Sequence, residues 1–154
     1  MKSQSEIARE LALKAHAGQF RRDGATPYFN HVDRVGKSMR ERGLKDELVA
    51  VGFGHDILEM SSLTAQDLLN AGLKQNVVDS IVAITKLDGE ELEKYWTRVF
   101  NNFDALVTKM YDIQDNLSDS PTEKQKEKYM RAIDFFQSLG KDESVGERLA
   151  KFIL

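Results

Sequence analysis

Cysteine is absent from the 154 residues. Disulfides, thiolate metal sites and thiol nucleophiles are therefore excluded, and any metal must be held by His, Asp or Glu. A chain without disulfides suits the cytoplasm. Histidine is scarce, with 3 residues, so each is a candidate for chemistry. Pro27 and Pro121 are the only prolines, and both fall at boundaries between periodic segments. No apolar run approaches the roughly 20 residues of a membrane helix. The N-terminus, MKSQSEIARELALKAHAG, has charges scattered through it and does not read as a signal peptide. Neither sign of charge is in excess: 22 Lys and Arg meet 25 Asp and Glu, a net charge of −3. Broad nucleic-acid binding needs a basic surface and is not expected, whereas a small phosphorylated ligand needs only a local basic pocket. What is present is 41% hydrophobic and 31% charged residues, the composition of a globular chain long enough for one domain, residues 1–154.

The helical period dominates. Ser3-x-x-Glu6 has the form of a capping box before Ile7, Leu11 and Ala15, with a stop near Gly18. QFRRDGATPYFN, residues 19–30, reads as a loop, and a second helix runs from about Asn30 to Arg42, ended by Gly43. Asp46 is expected to cap a third helix through Leu58 that is apolar almost all round and therefore buried. Thr64 starts a short helix ending at Gly72, and residues 75–86 form another. A turn at Leu87-Asp88-Gly89 precedes a helix from Glu90 to Phe100, and Asp104 starts a helix reaching Leu117. Ser120-Pro121-x-Glu123 signals a further start, with Ser120 as cap, and Gly140 a stop; Ser144 opens a last short helix. No alternating strand pattern occurs. The expectation is an all-α, single-domain helical bundle, and nothing in the pattern fixes an oligomeric state.

GHDILEM, residues 54–60, places His55, Asp56 and Glu59 in an otherwise apolar segment. Burying such groups costs several kcal/mol, roughly, unless they are paired. His31, at the start of the second helix, and Asp112, within KMYDIQDN, are the other candidates. Imidazole plus carboxylate is a ligand set for Mn²⁺, Fe²⁺, Zn²⁺ or Mg²⁺. Adjacent helical residues point about 100° apart, so His55 and Asp56 share an ion only if other helices complete its shell. Taken singly, each of these residues has a plainer reading as a satisfied core or surface group. The Arg21-Arg22 pair in a loop reads equally well as a solvated surface.

Four segments together resemble one family. AHAGQFRRDGATPYFNH, residues 15–31, is similar to A-H-x-G-Q-x-R followed by P-Y-x-x-H; GHDILEM resembles H-D-x-x-E-D; ITKL, residues 84–87, resembles V-T-K-L; KMYDIQDN resembles K-x-x-D-x-x-x-N. These are motifs of the alarmone-hydrolase domain of the RelA/SpoT family, HD-superfamily phosphohydrolases. In order, they span most of residues 8–117, and the C-terminal part, helices over 121–154, adds no motif. The resemblance implies an HD-type bundle with a metal site between helices. It implies one divalent ion, Mn²⁺ in this family, on His31, His55, Asp56 and Asp112. Glu59 then works on the water, Arg21 lies against the nucleotide base, and Arg22, Lys109 and Asn116 sit near the substrate. His16 and Gln19 match supporting positions. The implied partner is a small-molecule nucleotide, with neither nucleic acid nor membrane.

The chain departs from the pattern at Met60, where the family has aspartate. A thioether accepts only weak hydrogen bonds and shuttles no proton. Three outcomes stay open: Glu59 suffices alone, the substrate differs, or binding survives without turnover. The implied activity is removal of the 3′-pyrophosphate from (p)ppGpp or a related alarmone. The alternatives are a phosphatase or nucleotidase acting on another nucleotide and a non-catalytic nucleotide-binding module. Gly52 and Gly54 replace bulkier residues before H-D, and GATPY is one residue longer than the common GEPY.

Overall fold

The computed structural model describes residues 1–141; the helix expected from Ser144 lies outside the described residues. Within them the chain forms α1 Gln4–Ala15, α2 Phe29–Glu41, α3 Asp46–Gly54, α4 Ile57–Met60, α5 Ala65–Asn70, α6 Gln75–Ile84, α7 Leu92–Phe100, α8 Phe103–Leu117 and α9 Glu123–Leu139. An isolated antiparallel bridge, Phe20 to Pro27, closes the loop between α1 and α2. No described helix is long and apolar enough to cross a membrane.

The capping signals set several boundaries. The Ser3 hydroxyl accepts from the Glu6 amide and the Glu6 carboxylate accepts from the Ser3 amide; Thr64 and Asp67 repeat the device at α5. Other starts differ from the sequence reading. Asp46 is the first residue of α3 rather than its cap, and its carboxylate takes the Ser5 hydroxyl instead. The Asn102 side chain, not Asp104, caps α8 by accepting from the Ala105 amide at 3.0 Å. At α9 the reciprocal pair is Thr122 with Gln125, while Ser120 lies outside the helix at φ 48°. Helix α6 stops at Ile84, two residues early, and Thr85 is extended. Arg98 accounts for that stop: it donates to the Ala83 and Thr85 carbonyls and pairs with Glu90, which is thereby held out of α7.

The largest departure is in the third helix. The expected continuous element through Leu58 breaks at His55–Asp56, where Asp56 takes φ −106° and ψ 1°, and resumes as the single turn α4. Two buried clusters surround this break. One unites α1, α2, α3, α5 and α6 around Val32, Met39, Val49, Phe53, Leu68 and Ile81. The other unites the end of α6 with α7, α8 and α9 around Trp96, Val99, Leu106, Ile113 and Phe136. Each such side chain, fully buried, contributes about 1.5–3 kcal/mol of hydrophobic stabilisation. Helix α8 serves both clusters, Val107 and Tyr111 in the first and Leu106 and Ile113 in the second.

The glycines before the break have a packing reason. A Cβ on Gly52 would stand 2.5 Å from Met39 Sδ and 3.3 Å from the Gly36 Cα, so α2 and α3 touch backbone to backbone there. A Cβ on Gly54 would stand 2.8 Å from Ile81 Cδ1. This close contact of α2 with α3 brings the His31 and His55 rings to 5.3 Å between centroids.

Candidate metal and substrate site

His31 comes from the first turn of α2, His55 and Asp56 from the α3–α4 break, and Asp112 from the middle of α8. One ligand atom from each lies within 4.8 Å of all the others. His31 Nε2 and His55 Nε2 stand 2.9 and 3.2 Å from Asp112 Oδ1. The same two nitrogens stand 3.6 and 3.2 Å from Asp56 Oδ2. His31, His55 and Asp112 are almost wholly buried, with exposures of 1%, 2% and 6%.

The outer atoms of these side chains are held too. His31 Nδ1 lies 2.6 Å from Asp115 Oδ2, and His55 Nδ1 2.7 Å from the Gly52 carbonyl. Those oxygens accept, so each Nδ1 carries a hydrogen and each Nε2 is the atom turned to the centre. Arg34 grips Asp115 through two nitrogens, at 2.8 and 3.0 Å. The Tyr28 hydroxyl donates to Asp56 at 2.7 Å, Lys109 to Asp112 Oδ2 at 3.1 Å, and the Asn116 amide to Asp112 Oδ1 at 3.0 Å. Burial opposes ionisation of Asp112, but Lys109 and the two imidazoles outweigh it and hold the carboxyl well below its usual range. Asp56 is likewise lowered against burial, by His55 above all. Burial also opposes the charge on His55, yet Asp56 and Asp112 raise it well above an ordinary imidazole; His31 is raised by Asp112 and Asp115. Two carboxylates and two outward-braced imidazoles therefore converge on a point that takes either protons or a divalent cation. The donor set and the fixed tautomers fit a cation.

This cluster forms the floor of a cavity of about 400 Å³. Glu59 projects from α4 into the same cavity and makes no hydrogen bond or ion pair among the described residues. Burial, then the Asp56 charge, push its carboxyl above the usual range. Arg21 donates to Asn116 Oδ1 at 2.9 Å and to Asp119 at 3.2 Å, and lies 5.4 Å over the Tyr28 ring. Arg22 reaches the carbonyls of Asp119 and Ser120 at the rim. All the sequence-predicted site residues except His31 line the cavity; His31 closes the cluster behind it. Met60 does not line it.

Several contributors escaped the sequence reading. Asp115 and Tyr28 lie inside the quoted motifs, three residues from Asp112 and from His31, and their spacing on the helix was the available signal. Lys86, within ITKL, also lines the cavity. Gln125, Lys128 and Tyr129 of α9 form part of the cavity wall, from a segment with no motif.

No family model matches this chain. Among solved structures, it is similar to one described as a metazoan ortholog of SpoT that hydrolyses ppGpp and plays a role in starvation responses. The two are 18% identical, with a TM-score of 0.73, over 100% of this chain and 98% of the other. The likeness establishes the HD-type all-helical fold.

Proposed function

We propose that this protein is a cytoplasmic, divalent-metal-dependent phosphohydrolase, acting as one domain over residues 1–154, that removes the 3′-pyrophosphate from (p)ppGpp or a related alarmone. The observation that carries the reading is the convergence of two Nε2 atoms and two carboxylates within 4.8 Å at the base of a cation-rich cavity. The activity described for the structural relative supports the choice of substrate.

His31, His55, Asp56 and Asp112 would hold the ion, Mn²⁺ in this reading. Bound there, it supplies Lewis-acid polarisation of the phosphoryl group and acidifies water. Glu59, the one acid in the cavity without a partner among the described residues, accepts the proton of the attacking water. Arg21, whose guanidinium lies 5.4 Å over the Tyr28 ring, holds the base end of the nucleotide. Arg22 and Lys109 balance phosphate charge. Asn116 spends its Oδ1 on Arg21 and one N–H on Asp112, which leaves one N–H for a phosphate or sugar oxygen.

The unpaired Glu59 in the cavity and the absence of Met60 from its wall favour catalysis by Glu59 alone. The departure at position 60 keeps one alternative on the table, a phosphatase acting on another nucleotide. Purified protein with Mn²⁺ is tested on (p)ppGpp and on a nucleotide panel, with pyrophosphate and orthophosphate measured separately. Pyrophosphate from (p)ppGpp is the expected product. Orthophosphate from another nucleotide would replace the reading with the alternative, and no product from any substrate would leave a binding module.

A further inference from the structure

Glu59 stands on weak support. Helix α4 is one turn, Ile57–Met60, cut from α3 at Asp56 and followed by extended backbone at Ser61. Its own bonds are few: Met60 and Ser61 donate to the Asp56 and Ile57 carbonyls, each at 3.1 Å. So short a helix does not hold itself, and its terminal carbonyls need donors from elsewhere.

One donor comes from the loop after α1. Gln19 Nε2 lies 2.6 Å from the carbonyl of Met60, the residue next to Glu59, and 3.1 Å from the Ala15 carbonyl at the end of α1. Carbonyls only accept, so the amide nitrogen must face them and the orientation of Gln19 is fixed. Its Oε1 then faces His16 Nδ1 at 2.8 Å, and that oxygen also only accepts. His16 therefore carries its hydrogen on Nδ1. The ring is buried, and its Nε2 has no partner among the described residues. A second ring hydrogen would find no acceptor, so the neutral tautomer that locks Gln19 is the one the packing permits.

We propose that Gln19, locked by His16, is the positioning residue for Glu59: it fixes the α4 turn through the Met60 carbonyl and touches no substrate. This rests on the reading of Glu59 as proton acceptor. Gln19 is two residues before Arg21, so the same loop would place both the group that holds the nucleotide and the group that handles the water. The strut also gives position 60 a role its side chain lacks, since the backbone there, not the thioether, serves the site.

The test is Gln19→Met, which removes the donors and keeps an unbranched chain of similar size. Loss of the Gln19–Met60 hydrogen bond, with the Ala15 and His16 contacts that orient it, should lower kcat about tenfold. KM and metal stoichiometry should hold. Amide exchange at Met60 and Ser61 should rise by a similar factor while α3 stays protected. In a Glu59→Gln background the same substitution should cost nothing further. An equal loss in both backgrounds, a rise in KM alone, or unchanged exchange at these amides would each overturn the proposal. Should Gln19→Met melt early, His16→Leu keeps the Gln19 donors while freeing the amide, and an exchange rise confined to α4 with kcat about threefold lower is then expected; an exchange rise spread over α3 would overturn it. Exchange is read without substrate, so it judges the strut separately, whereas full turnover by Glu59→Gln alone would overturn the proposed role of Glu59.

Discussion

The floor and the far wall of the cavity are built on opposite plans. On the floor, His31, His55 and Asp112 are each held at a second atom, by Asp115, the Gly52 carbonyl and Lys109. Across from it, among the described residues, Lys86 has the neighbouring Leu87 carbonyl at 3.2 Å, and Lys128 the Tyr129 ring at 4.9 Å, and neither has a carboxylate partner. Braced donors suit a small ion, which tolerates little error in geometry. Ammonium groups without a carboxylate suit a flexible anion that brings its own charge. In the proposed reading the difference teaches where rigidity is needed: at the reacting end, between three elements pinned by a buried core, and not at the end that would only retain the ligand.

The sharpest way to break this contrast is Asp112→Ala. It removes an oxygen shared by both imidazoles and strands Lys109, so bound metal and turnover should both fall to background. Undiminished metal stoichiometry by elemental analysis would refute the ligand assignment. Next is Glu59→Gln, expected to keep the ion and lower kcat on the order of 10²-fold or more. In the metal-free protein burial raises the Glu59 carboxyl above its ordinary 4.5. The acid limb of kcat/KM that reports its protonation should vanish in the variant. Arg21→Ala sits at the boundary of the two regions and should raise KM about 10- to 100-fold with kcat little changed. A fall in kcat at constant KM would move Arg21 to the reacting end. Lys128→Met, on the far wall, should raise KM only about threefold.

The smallest effect is a pH trend in the metal-free protein. Both ring pKa values are raised above 6.5 by folding, so their contribution is complete below 6.5 and is lost as pH rises through the folded values. Thermal melts in chelator should decline on the alkaline side of neutrality. Metal affinity should run the other way, since the ion competes with those same protons. Melts that rise with pH in chelator would show that the rings are not charged in the empty cluster.

The all-helical fold was legible because helix period, Ser3-x-x-Glu6 and the glycine stops are local signals, readable without any neighbour. The candidate donors were legible as polar residues in apolar segments and through a resemblance to known motifs. Boundaries set by distant partners were not. The stop of α6 depends on Arg98, thirteen residues beyond Thr85. The break at His55–Asp56 was hidden because the apolar pattern runs straight through it, from Val51 and Phe53 to Ile57 and Leu58. Propensity saw a continuous helix, and the cluster of polar partners on α2 and α8 is what turns the backbone there.

The sequence by itself therefore determined the secondary structure class, the absence of thiol chemistry and the short set of residues able to meet a metal, because composition and period act residue by residue. Only the tertiary structure decided which ring nitrogen faces the centre, that Asp115 braces His31, which carbonyls Gln19 meets, and that α9 walls the cavity. Those depend on contacts up to 98 residues apart in the chain, such as Arg21 with Asp119, and such contacts exist only once the cores on either side of α8 have packed.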